Sequence, residues 1–243
     1  MWIGSPEAWH AEKDIVKKII DLALSDRVYD ELRTALTEGR FRPGDRLIID
    51  RLAAELGVSQ TPVREAMKHL VAAGVLDARP NHSIVVPILS PEQYQEVADL
   101  RCALEGMAAA RAIQSGSRQE LKSLSSLQEK MDVARDWSDY ATVLQLNRRF
   151  HFGIVEAARM PLLMHMVETL WMRSGPLMPL LENRGVYAKS STRHPHRQFL
   201  RAFKAGAPEK GEQAMVTDIR NGTRIILAAL QDLQARDSHS ETG

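Results

Sequence analysis

The sequence predicts a mainly α chain in two parts: a small α+β head up to about residue 90, then an all-α antiparallel helical bundle. Three observations carry this. Aromatic residues make up only 5% of the 243 residues, while Ala, Leu, Met, Arg, Glu and Gln abound, which favours helix over sheet. From residue 91 to about 235, apolar residues recur only at helical spacing. The period changes in one place, at Val75–Ala78 and Ile84–Pro87, two short β-rich runs around Arg79-Pro80-Asn81-His82-Ser83. That reads as a two-stranded hairpin. The expected division is an extension over 1–21, a head over 22–90 and a body over 95–235.

The elements follow in order. The extension carries Trp2 and Trp9, then Ile15, Val16, Ile19 and Ile20 at helical spacing. A helix from Ser25 to Thr37 puts Val28, Leu32, Ala35 and Leu36 on one face, with Ser25 or Asp26 as its cap and Gly39 as its stop. Arg42-Pro43-Gly44-Asp45 is a turn signal. Short helices over Asp50–Leu56 and Gln60–Ala73 come next, and Gly74 closes the second. After the hairpin, Ser90-Pro91 opens the first long helix, with serine at the cap and proline at the first helical position. The expected body helices are 91–114, 118–135, 138–158, 161–181, 192–205 and 208–233.

Composition narrows the function. The longest apolar runs, such as Ile225–Leu230, fall far short of the ~20 residues of a membrane span. Charges at Glu12–Asp14 interrupt the N-terminus before any secretory h-region forms. The single cysteine, Cys102, excludes an internal disulfide framework and a multi-cysteine zinc site. A cytoplasmic protein without a membrane partner is expected. Net charge is +1, so any nucleic-acid reading must rest on placed residues.

Ile49–Lys68 supplies such residues, because it meets the constraints of a helix-turn-helix. Ala53 is small where the second helix crosses close above it. Gly57 stands in the tight turn, where φ > 0 is cheap only for glycine. Val63 packs between the helices with Leu52, Leu56, Ala66 and Leu70. Ser59 or Thr61 caps the second helix, and Pro62 is tolerated in its first turn. Exposed at the leading end are Ser59, Gln60, Thr61, Arg64 and Lys68, with Arg51 on the preceding helix. Gln pairs with adenine and Arg with guanine, while Ser and Thr reach phosphate or base edges of double-stranded DNA. The hairpin then acts as a wing, with Arg79 and His82 near its tip. The competing reading is a helical hairpin that binds no DNA, with Arg64 in a surface ion pair to Glu65 or another neighbour.

These motifs resemble a known family. Gly39-Arg-Phe-Arg-Pro-Gly-Asp-Arg-Leu47, Leu52-Ala-Ala-Glu-Leu-Gly-Val-Ser59 and Thr61-Pro-Val-Arg-Glu-Ala66 look like the GntR-type winged head of bacterial transcription regulators, over about 22–90. The family usually has Arg between the Ser and the Thr-Pro, where this chain has Gln60. It usually has Gly at the wing tip, where this chain has Ser83.

In the body, polar residues on apolar stripes are the informative ones. Arg101 shares a stripe with Tyr94, Val97, Leu104 and Ala108. Asn147 and His151 lie four apart with Leu144, Ile154 and Ala158. His196 aligns with Phe199, Leu200 and Phe203, and Asp218 with Met215, Gly222 and Ile225. Two imidazoles, a carboxylate and an amide oxygen thus point inward from three helices, a set suited to zinc, nickel or another divalent metal. Two simpler readings compete. Asn147 and His151 are then hydrogen-bonded core residues, and Asp218 pairs with His196 or Arg149. Arg101 either forms an i,i+4 pair with Glu105 or anchors a small carboxylate bidentately, with Arg149 and Asn221 as additions to that pocket. His165 and His194 read as surface or loop residues, although either could substitute as a ligand.

This half resembles the FCD ligand-binding domain of the FadR branch of the same regulators, through Arg101-Cys-Ala-Leu-Glu105, Asn147-Arg-Arg-Phe-His151 and His196-Arg-Gln-Phe-Leu200. In metal-binding members, an Asp and a His four apart join two later His residues. Those places fall on Asn147, His151, His196 and Asp218, with Asn where Asp is common and Asp where the last His is common. The resemblance implies a homodimeric repressor, released from its operator by a small organic acid bound with a divalent metal. The alternative is a metal-dependent hydrolase or isomerase in the bundle. No further inward carboxylate or His is placed as its general base.

Overall fold

The computed structural model describes residues 23–80, 83–184 and 194–240. The expected extension and His82 lie outside the described residues. Two compact units form: one holds residues up to 35 together with 43–87, the other 36–42 together with 88 onward.

A helix α1 spans 23–37, and the part of it in the first unit, up to residue 35, buries Val28 and Leu32. It is already helical at residue 23, so Ser25 and Asp26 lie inside it rather than at its cap. At Gly44, φ is +86°, and its N–H bonds the Val86 carbonyl at 2.9 Å, which draws the turn onto the sheet. A helix α2 (Ile49–Leu56) ends on Gly57 in the left-handed region at φ 65°. Three residues later α3 (Gln60–Ala72) begins, and it buries Val63, Ala66, Met67 and Leu70 against Leu52 and Ala53. Ser59 is the N-cap residue of α3, but its hydroxyl makes no cap hydrogen bond, and Thr61 falls within the helix.

The sheet departs from the expected hairpin. It has three antiparallel strands, β1 (Arg46–Leu47), β2 (Asp77–Arg79) and β3 (Ser83–Val85), in the order β1-β3-β2. Pairing sets Ala78 opposite Ile84 and Leu47 opposite the same residue from the other side. Val75 and Leu76 are not strand. Their amides bond back to the Leu70 carbonyl and close the end of α3, so their side chains plug the core. The pairing therefore starts closer to the wing tip than the apolar run suggests. Two-residue β1 is too short to show any period.

The second unit is helical: α4 (Pro91–Ser115), α5 (Arg118–Asp136), α6 (Tyr140–Ala157), α7 (Pro161–Ser174), α8 (Pro195–Ala205) and α9 (Pro208–Ser240). Capping boxes at Ser90/Gln93 and Ser117/Glu120 start α4 and α5. The expected helix 161–181 is cut short: α7 stops at Ser174, and Gly175–Arg184 continues as a 3-10 stretch. Pro176 and Pro179 donate no amide hydrogen and crowd the preceding carbonyls, so the α ladder cannot continue. α9 packs along α4, α5 against α6, and α8 on α9. Phe150, Phe199, Phe203, Met131 and Met215 form one apolar cluster; Tyr94, Leu177, Leu181, Ile226 and Leu230 form another.

Two glycines are required for opposite reasons. Around Gly57 there is open space, so only its positive φ excludes a side chain. Gly175 has ordinary φ, but a Cβ there would sit 2.2 Å from the Leu36 carbonyl oxygen. Gly57→Ala should cost about 1–2 kcal/mol of backbone strain. Gly175→Ala should cost about 3 kcal/mol, because backbone cannot move aside as a side chain end does. Urea unfolding of the full chain checks both, and a Gly175→Ala midpoint equal to the unsubstituted chain's would contradict the close approach.

Candidate DNA-reading face and a buried polar cavity

On the first unit, the leading end of α3 is open to solvent. Ser59, Gln60, Thr61, Arg64 and Lys68 are all exposed, as are Arg51 and Arg79. Glu65, one of the partners the competing reading allowed for Arg64, pairs with Lys68 at 2.9 Å. Arg51 pairs with Glu55 at 2.8 Å on its own helix. Arg64 instead lines a concavity of about 330 Å³ with Gln60, Ser83 and Arg46. Arg46 was missed by sequence reasoning, because nothing in its local pattern marked residue 46 as a strand facing α3. The face offers guanidinium, amide and hydroxyl donors in one place, the groups that read base edges and phosphate.

In the second unit, a cavity of about 180 Å³ is lined by Arg101, Arg135, Asn147, His151, His194, Asp218 and Asn221, among others. Its framework begins at Glu105, which is 2% exposed. Glu105 accepts from Arg101 Nε at 2.7 Å, from Trp171 Nε1 at 3.0 Å and from His151 Nδ1 at 2.6 Å. Burial alone pushes this carboxyl up, yet Arg101 and His151 outweigh it and bring its pKa down to about 2. The i,i+4 pair of Arg101 with Glu105 is therefore real. The guanidinium also lies 4.1 Å over the Trp171 ring, with NH1 3.3 Å from Ser174 Oγ, and still lines the cavity.

His196 is held in a defined tautomer. Its Nδ1 lies 2.9 Å from Gln128 Oε1, and Gln128 is oriented by donating Nε2 to Asp132 Oδ1 at 2.8 Å. An amide oxygen only accepts, so the His196 proton sits on Nδ1. The ring is stacked on Phe150, centroids 4.1 Å apart. Burial keeps the His196 pKa below its ordinary value, against the pull of Asp218. Its buried Nε2 therefore offers a lone pair and has no hydrogen-bond partner. That lone pair faces Asp218 Oδ2 at 3.3 Å, and the same oxygen is 3.2 Å from His151 Nε2. Burial would raise the Asp218 carboxyl, but His196 and His151 hold it well below the carboxylate range. For His151 burial opposes charge, and Glu105 and Asp218 prevail to raise its pKa. Ligand atoms of His151, His196 and Asp218 all lie within 4.8 Å of one another. Two imidazoles, each braced at Nδ1, and a carboxylate converge on one point, and once the His151 Nε2 proton is displaced they are a donor set that could hold a divalent cation.

Comparison with known proteins agrees with both parts. Residues 24–86 match the model for bacterial regulatory proteins of the gntR family, and residues 96–221 match the FCD domain. The chain belongs to the gntR family of bacterial regulatory proteins. The HTH-type transcriptional regulator McbR of Escherichia coli is 37% identical over 159 residues, covering 65% of this chain and 72% of that protein. A protein of Paenarthrobacter nicotinovorans named "Probable D-xylose utilization operon transcriptional repressor" is 28% identical, covering 82% and 87%. The solved structure of E. coli McbR/YncC superposes with a TM-score of 0.77 at 32% identity, covering 85% of this chain and 98% of that one. The protein is a DNA-binding transcription regulator, not an enzyme, with a winged helix-turn-helix head and an FCD body. Among the described residues, no helix is long and apolar enough to cross a membrane.

Most of the regulator's expected sensing residues meet at the cavity. Arg101, Asn147, His151, Asp218 and Asn221 line it, and His196 is buried behind it with Nε2 aimed at Asp218. Arg149 does not join them: it is exposed. Two residues from both Asn147 and His151 is about 200° around a helix, so it faces away. His194 is the loop residue expected, at the N-cap of α8, and it also reaches the site. It lines the cavity, and burial beside His196 and Arg135 brings its pKa down to about 4. Its place directly before Pro195 and His196 is the signal that pointed there. Arg135 was also missed, since its α5 neighbours show no polar break.

Glu105 carries a pH-dependent share of stability. Its folded pKa of about 2 lies below the ordinary 4.5, so its contribution is complete above pH 4.5 and is lost as pH falls towards 2. Glu105→Ala should cost about 3–5 kcal/mol by stranding Arg101. Glu105→Gln should flatten the acid limb of a stability-against-pH curve, measured by urea unfolding.

Proposed function

We propose that the body is a sensor in which His151, His196 and Asp218, with the Asn147 amide beside them, hold a divalent cation such as zinc or nickel. A small carboxylate enters the cavity and meets that ion and Arg101. The regulator is a homodimer of the FadR branch whose two heads read an inverted repeat, as two-fold symmetry requires. Effector binding favours an arrangement of the heads that leaves the operator, which makes the protein a repressor. The observation that carries the sensor reading is the His196 Nε2 lone pair facing the Asp218 carboxylate. Two acceptors at that separation repel unless a cation lies between them. Repression is supported by the names of relatives, the "Probable D-xylose utilization operon transcriptional repressor" and the Bacillus subtilis "Gluconate operon transcriptional repressor", the latter 30% identical over 131 residues.

The ion supplies positive charge that attracts and orients an anion; the chain's own groups do the rest. Arg101 presents donors already aligned by Glu105 and Ser174, so little side-chain entropy is lost on binding. Tyr94, Met178 and Leu181 give the cavity apolar walls.

Calorimetric titration with zinc should show tight binding. Asp218→Ala should weaken it by more than the ~10–100-fold that loss of an outer partner costs. Equal zinc affinity in the variant would refute the site. In gel shifts on its own upstream DNA, Arg64→Ala should lose about 1–3 kcal/mol of operator affinity with the fold intact. Arg101→Ala should keep operator binding and lose its release by carboxylic acids. A variant that is released normally would leave Arg101 a purely structural residue.

A further inference from the structure

A second mismatch in the cavity wall is the mirror of the one at His196. His194 Nδ1 accepts the backbone N–H of His196 at 3.2 Å, so the proton of that ring is on Nε2. Nε2 lies 3.3 Å from Arg135 NH2, and a guanidinium only donates. Two donors therefore face each other at the cavity, in a place where an anion would accept from both. Arg135 is held there by its NH1 bond to Asp132 Oδ1 at 3.0 Å, and its side chain is 4% exposed. The Asp132 carboxylate is shared with Arg197, which bonds its other oxygen. One negative charge thus serves two guanidiniums, and this wall keeps a positive surplus.

The wall also has an order. The His151 and His196 rings are 5.3 Å apart, and the His196 and His194 rings 4.7 Å. Arg101 is tied through Glu105 to His151, and Arg135 touches His194. The two arginines therefore flank the histidine series from opposite ends. At Arg101 the positive charge is balanced by Glu105, and with a divalent ion on Asp218 one charge remains over. The Arg135 end supplies a second uncompensated charge.

We propose that the effector is a small dicarboxylate, one carboxylate taken by the ion and Arg101, the other by Arg135 together with His194 Nε2. The proposal rests on the sensor reading above and narrows its ligand from any small carboxylate to a dianion. The modest cavity, about 180 Å³, suits a short acid rather than a drug-sized molecule.

The test compares matched pairs on the zinc-loaded full chain by calorimetry: malonate with propionate, succinate with butyrate, malate with 3-hydroxybutyrate, glutarate with pentanoate. In each pair a methyl replaces one carboxylate. At least one dicarboxylate should bind about 10–100-fold more tightly than its partner, the worth of a charged hydrogen-bonded contact. Arg135→Gln should reduce that ratio to near one, while the monocarboxylate keeps its affinity. Monocarboxylates that bind as well as their partners to the unsubstituted chain, with Arg101 dependence, would overturn the dianion and leave the sensor reading intact. Absence of binding by every acid would overturn both. A ratio unchanged in Arg135→Gln would remove Arg135 from the site. Should that variant not fold, the ratios in the unsubstituted chain decide alone.

Discussion

The body is organised around one buried carboxylate. Glu105 of α4 takes a hydrogen bond from its own helix, one from α6 and one from α7. A carboxylate buried without partners would be protonated or would destabilise the fold, so these three donors are a condition of its burial. In return it fixes where each donor points. Arg101 is turned along the cavity wall, and His151 donates from Nδ1 to the carboxylate, which turns its Nε2 edge to the interior. Gln128 does the same for His196 with a neutral group. The pair of braces, one charged and one neutral, sets up two imidazoles that both look at Asp218.

The fold was legible where a residue carries a backbone demand. Gly57 in its turn, Ser90-Pro91 at a helix start and the 3.6-residue stripes of the body all appear in the structure where the chain places them. It was less legible where tertiary contacts decide. The apolar pair Val75-Leu76 reads as strand by composition, but closing α3 and filling the core uses the same residues. The 3-10 stretch reads as helix because its apolar spacing is helical; only Pro176 and Pro179 argue otherwise, and their effect depends on the neighbours that the chain meets there.

In the cavity, residues on α-helical stripes were found because a polar side chain between apolar ones stands out. Arg101, His151, His196 and Asp218 are such cases, and Arg149 failed because it is off the stripe by two positions. Arg135 and His194 escaped for a different reason. Arg135 comes at the charged end of α5, and the cavity residue it meets, His194, is about sixty residues away in the chain. His194 precedes its helix, so no periodicity applies to it. Long-range pairing is the part of a site that local pattern does not encode.

The indole of Trp171 lies under the Arg101 guanidinium, edge-on to the His151 ring at 5.2 Å, with its N–H on Glu105. It thus touches the cationic wall, the imidazole and their shared carboxylate at once. Whatever fills the hollow changes the electric field across that chromophore, so the regulator carries its own optical reporter of occupancy. Trp137, 81% exposed on the same unit, emits from water and is a natural internal reference for it.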